Sequence, residues 1–68
     1  MKTKLKLLRA EHNLTQADLA KILGTNQKAV SSWETGSAAP RPPMMQKIED
    51  YFGIPKEEIF FTAFNYSK

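Results

Sequence analysis

The side chains between Gln27 and Thr35 are the part of this chain whose types and spacing can do chemistry. With Val30 placed at 0° and about 100° per helical residue, Trp33 falls at about 300°, so the inward direction lies near about 330° and the outward one near about 150°. Lys28 (about 160°), Thr35 (about 140°), Ser31 (about 100°) and Ser32 (about 200°) then share the outward side, and all four are polar. Gln27 lies sideways at the start of the helix. Glu34 falls on the inner half, where an acid needs a partner, and Trp33 is expected in the core. The outward face thus offers hydrogen-bond donors and no carboxylate. Ser31 and Ser32 have no base on that face, which argues against nucleophilic catalysis. His12 has no cysteine, second histidine or carboxylate cluster beside it, so it is expected to be neither metal ligand nor general base. The chemistry on offer is directional hydrogen bonding. No enzymatic activity, cofactor, metal or small-molecule substrate is expected.

The elements that must position this face are short helices. Leu5 and Leu8 make an apolar stripe on a first helix from Thr3 to about Glu11, ended by His12-Asn13. Thr15, followed three residues later by Asp18, is a shortened capping box that opens a second helix from Gln16 to Leu23, expected to bury Leu19, Leu23 and Ile22. Gly24 can take a positive φ at its stop, and Asn26 (or Thr25) can cap a third helix from Gln27 to about Glu34. Beyond Pro40, Pro42 or Pro43 suits the first turn of a fourth helix burying Met45, Ile48 and Phe52, closed by Gly53. A last short helix follows Ile54-Pro55, with Glu57 and Glu58 at the positive end of its dipole and Ile59 and Phe60 inward.

Composition bounds what these elements can be. At 68 residues, size scaling allows one domain that buries about 60% of the surface its unfolded chain exposes. There is no cysteine, so neither disulfides nor a thiolate metal site can help, and the apolar residues must hold the fold. With 41% hydrophobic and 25% charged residues, wholesale disorder is disfavoured. Apolar runs are too short for a membrane span or signal peptide, which points to a cytoplasmic protein with no membrane partner. The net charge is +3, and residues 1–28 carry six cations against two anions while the remainder is nearly balanced. A polyanion would be drawn to the first part.

Two helices joined by a three-residue turn form the geometry in which the second can enter a DNA major groove while the first braces it. Ala20 and Gly24 are small where the two helices cross. Here the chain resembles the Cro/Xre phage-repressor-like helix-turn-helix family. The resemblance rests on the run from Leu14 to Gly24, on Val30-Ser-Ser-Trp-Glu-Thr-Gly36, on Pro40, on Phe52-Gly-Ile54, and on Glu58-Ile-Phe60, covering residues 5–60. It implies an all-α, compact five-helix lambda-repressor-like domain that acts as a sequence-specific transcriptional regulator. Such a regulator usually works as a homodimer placing its third helix in the major groove of a palindromic operator. It also implies a phosphate contact at Gln16, base reading by Gln27, Lys28 and Ser32 with Ser31 and Asn26 nearby, and an internal ion pair of Arg9 with Glu34. Pro42 and Pro43 depart from the family's usual residues at the start of the fourth helix.

The side chains at those positions suit double-stranded DNA. Gln27 can pair with adenine N6 and N7, and Lys28 can donate to guanine O6 and N7, each good pair being worth about 1–3 kcal/mol of discrimination. Ser31 and Ser32 are short and specify weakly. Gln16 begins a helix whose free N–H groups favour a phosphate oxygen, which fixes register without reading sequence. Arg41, just after Pro40, is expected to add a backbone or minor-groove contact. The domain is expected to span 1–60, followed by an aromatic tail, 61–68, extended and either folded back or pairing with a partner subunit. The alternative function is a helical, antitoxin-like protein-interaction module that binds through Met44, Met45 and the tail.

Overall fold

The computed structural model describes residues 3–60, so the expectations for the tail 61–68 lie outside the described residues. Five helices follow one another: α1 Leu5–Glu11, α2 Gln16–Leu23, α3 Gln27–Thr35, α4 Pro42–Phe52 and α5 Lys56–Ile59, with no strand among the described residues. The fold is all-α.

Local chemistry sets the helix ends. Thr3 Oγ1 accepts from the Leu5 N–H at 3.1 Å, and α1 begins two residues later than Thr3. The Thr15–Asp18 capping box is complete: the Asp18 N–H donates to Thr15 Oγ1 and the Thr15 N–H donates to Asp18 Oδ2, each at 3.0 Å. Asn26 rather than Thr25 caps α3, its Oδ1 accepting from the Ala29 N–H at 2.8 Å. Gly24 ends α2 at φ +76°, a backbone conformation a side chain would strain. Between α1 and α2, Asn13 takes φ +57°, which its short polar side chain tolerates. Pro42 and Pro43 occupy the first turn of α4, where their missing N–H groups have no helical partner to lose.

One apolar cluster draws on every helix. Leu5 and Leu8 from α1, Leu19, Ala20 and Leu23 from α2, Val30 and Trp33 from α3, Met45, Ile48 and Phe52 from α4, and Ile59 with Phe60 at α5 are all buried. The backbone closes the ring, since the Lys4 N–H donates to the Ile59 carbonyl at 2.9 Å. One expectation needs correcting. Ile22 is 42% exposed and Ala20 is buried in its place. Leu19, Ala20 and Leu23 share one side of α2, and Ile22 lies about 100° from the middle of that side. Met45 is in the core, as the sequence predicts for α4, and half-buried Met44 packs against it.

Candidate nucleic-acid interface

The most extensive helix–helix contact joins α2 to α3. The three residues Gly24, Thr25 and Asn26 connect them, and the Thr25 N–H returns to the Ala20 carbonyl at 2.9 Å. Small Ala20, 3% exposed, lets the two helices approach. α3 then has two chemical faces. Val30 and Trp33 point into the core, while Gln27, Lys28 and Thr35 are exposed and Ser31 and Ser32 half-buried at its flanks. The Ser32 carbonyl accepts from the Gly36 and Ser37 N–H groups, each at 3.1 Å, which secures the C-terminal end of α3.

Glu34 turns inward and meets Arg9. Arg9 Nε donates to Glu34 Oε2 at 2.6 Å and Nη2 donates to Oε1 at 3.2 Å, while Nη1 donates to the Leu14 carbonyl at 2.7 Å. The Glu34 side chain is 3% exposed and that of Arg9 15%. The hydrogen bond to Glu34 raises the Arg9 pKa, so the guanidinium keeps its charge. This fork holds α3 against α1 and the α1–α2 turn.

The fork continues to the surface. Gln16, first residue of α2, donates from Nε2 to Glu34 Oε1 at 3.0 Å, and its Oε1 accepts a long hydrogen bond from Gln27 Nε2 at 3.4 Å. A continuous path therefore runs from the Arg9 guanidinium through Glu34 and Gln16 to Gln27 at the start of α3. Local sequence patterns do not reveal it, because its links join residues 25, 18 and 11 apart. Asp18, beside Gln16 on α2, is held below the usual carboxylate range by the Thr15 backbone N–H and then the Thr15 side chain.

The remaining sequence candidates lie apart from this network. The Asn26 side chain is used in its cap. Arg41 is exposed at the N-terminal boundary of α4, its carbonyl accepting from the Met44 and Met45 N–H groups, each at 2.9 Å. Sequence reasoning missed Lys47, whose Nζ donates to the Leu23 carbonyl at 2.7 Å and so braces the last turn of α2 just before Gly24. It also missed the Lys56 contacts with Glu49, through both N–H and Nζ, that join α5 to α4 and hold the Glu49 carboxyl below its usual range. His12 packs edge-on to Phe52 with ring centroids 4.9 Å apart. Among the described residues, no group of three or more His, Cys, Asp or Glu side chains could hold a metal ion, and no helix is long and apolar enough to cross a membrane.

Comparison with known proteins agrees with this geometry. A family model described as helix-turn-helix matches residues 5–59. An uncharacterised HTH-type transcriptional regulator of Methanocaldococcus jannaschii is 47% identical over 60 residues, covering 88% of this chain and 91% of its own. The HTH-type transcriptional activator BcrR of Enterococcus faecalis is 36% identical over 56 residues, covering 82% of this chain and 28% of its own. The cryptic phage CTXphi transcriptional repressor RstR of Vibrio cholerae is 26% identical over 57 residues, covering 84% of this chain and 51% of its own.

Proposed function

Because the chain belongs to the Cro- and phage-repressor-like helix-turn-helix family of transcriptional regulators, we propose that it is a cytoplasmic, sequence-specific, repressor-like regulator that lays α3 in the major groove of an inverted-repeat operator. The observation that carries this reading is the outward face of α3: Gln27 and Lys28 exposed at its start, Ser31 and Ser32 beside them, and the one acid of the helix, Glu34, turned inward to Arg9. In this reading Gln27 and Lys28 read base edges, Ser31 and Ser32 touch phosphate or a thymine methyl, and Gln16, Asn26 and Arg41 contact the backbone. The protein works as a homodimer, since the few base contacts of one module fall short of specific affinities of about 10⁻⁸ M or tighter. No catalysis is involved.

The test is selection of bound duplexes from a random library at about 150 mM salt, near physiological ionic strength. An enriched inverted repeat with half-site centres about 10–11 bp apart supports the reading. Binding that enriches no sequence and vanishes as salt rises overturns it. Burial of Met45 in the core leaves the protein-interaction alternative without one of its anchors.

A further inference from the structure

We propose that Lys47 of α4 is a positioning residue for base reading: its ammonium fixes the peptide on which α3 turns, and so decides how sharply Gln27 and Lys28 discriminate between bases. The inference rests on the DNA-reading function proposed above. The last carbonyls of α2 have no donor within their own helix. Backbone N–H groups return to two of them, Thr25 to Ala20 at 2.9 Å and Gly24 to Lys21 at 3.3 Å. The Leu23 carbonyl is met instead by a side chain from another helix, Lys47 Nζ at 2.7 Å. That carbonyl belongs to the peptide joining Leu23 to Gly24. Gly24 stands at φ +76°, and a residue with no Cβ reaches either sign of φ about equally, so glycine permits this angle without enforcing it. Rotation there would carry the start of α3 with it. The Lys47 bond pins the peptide on the α2 side of that rotation.

The two ends of α3 are held differently, which is why this turn matters for reading. Toward the C-terminal end, Trp33 is buried and Glu34 is tied to Arg9 by two directional hydrogen bonds. Gln27 and Lys28 are exposed at the other end, just beyond the turn. The core contact between the two ends is Val30, and apolar packing resists separation more than a small rotation. From Lys28 to Glu34 the helix rises about 9 Å, so a swing of about 10° about the Glu34 end moves Lys28 by about 1.6 Å. That exceeds the spread of distances over which a hydrogen bond keeps its strength. Base contacts need that precision, whereas the long-range attraction of lysines to phosphate does not. Loss of the Lys47 bond should therefore cost discrimination before it costs attraction.

The test measures affinity for the selected operator and for a scrambled duplex at several salt concentrations, on the wild type and on Lys47→Met, Lys47→Gln and Lys56→Met, each at a temperature where calorimetry shows it folded. Lys47→Gln keeps an amide donor on a shorter stem, and so keeps the test valid if Lys47→Met fails to fold. Lys56→Met is the control for stability alone, since it removes an ammonium that ties α5 to Gln46 and Glu49 of α4. In both Lys47 variants the ratio of operator to scrambled affinity is expected to fall at least about fivefold, the lower end of one bidentate pair, with the salt slope on the scrambled duplex unchanged. In Lys56→Met the ratio is expected to stay within about twofold of the wild type's. Equal weakening on both duplexes with a shallower salt slope would make Lys47 a phosphate contact and overturns the inference. A ratio that falls as far in Lys56→Met assigns the effect to lost stability and also overturns it. A wild type that prefers no sequence overturns the function proposed above and this inference with it, whereas an unchanged ratio in the folded Lys47 variants on a well-defined operator overturns this inference alone.

Discussion

Lys47 on α4 donates a 2.7 Å hydrogen bond from Nζ to the carbonyl of Leu23, the last residue of α2, and the same ammonium lies 3.6 Å from where a Cβ on Gly24 would stand. The end of α2 carries unsatisfied carbonyls and the negative end of the helix dipole, so a cation there is doubly favourable. The turn that sets the angle between α2 and α3 is therefore braced from behind by a helix that plays no part in the outward face.

Lys47→Met keeps most of the aliphatic stem and removes the charge and the donor. It is expected to lower stability by about 1 kcal/mol, a typical net value for one hydrogen bond. For a domain this small that amounts to a fall of about 4–8 °C in Tm. Calorimetry measures it directly, and an unchanged Tm would mean that water replaces the lysine without loss.

Local signals in the sequence suffice where one or two neighbouring residues decide the outcome. The Thr15–Asp18 box, the Asn26 cap and the Gly24 stop each depend on side-chain or backbone preferences within one turn, and each stands where the sequence places it. The inward direction of α3 was legible because Val30 and Trp33 are its large apolar residues. Ile22 departs from the expectation because helical phase outweighs hydrophobicity: Ala20, smaller but correctly placed, takes the buried position. The Lys47–Leu23 bond and the Gln16 links to Glu34 and Gln27 were not legible, since they exist only once α2, α3 and α4 have packed.

The Arg9–Glu34 fork lends itself to a double-mutant cycle. Removing either partner leaves a largely buried charge, and Arg9→Met or Glu34→Leu alone is expected to cost about 3–5 kcal/mol. The double variant, which leaves no orphaned charge between the two positions, is expected to lose less than the sum of the singles. Urea unfolding of the four proteins gives the coupling, and strictly additive losses would show that the two side chains contribute independently.

Acid should unfold the protein in a way that two named carboxylates explain. Asp18 is held below its ordinary pKa by Thr15, and Glu49 by the backbone and side chain of Lys56. As pH falls the unfolded chain takes up these protons first. The stability the two groups contribute is therefore fully present above the ordinary carboxylate range and is lost as pH drops through their lower folded values. Asp18→Asn and Glu49→Gln are each expected to flatten the acid limb of a plot of urea midpoint against pH. A limb as steep as the wild type's in both variants would assign acid sensitivity to other groups.

Lys28→Ala and Arg41→Ala separate reading from holding. Lys28 is exposed in the first turn of α3, where its ammonium can reach guanine, while Arg41 is exposed at the start of α4 and, among the described residues, its side chain enters no hydrogen bond or ion pair. Lys28→Ala is expected to cost about 1–3 kcal/mol on the selected operator and to relax preference at one base pair of each half-site. Arg41→Ala is expected to weaken binding by a similar factor on every sequence, and to reduce the slope of log affinity against log salt by about 1 per protomer. Affinities measured for the selected operator and a scrambled duplex at several salt concentrations decide both. Uniform weakening by Lys28→Ala, with no loss of preference at any base, would move Lys28 from the bases to the phosphates and leave Gln27 to read the groove from the start of α3.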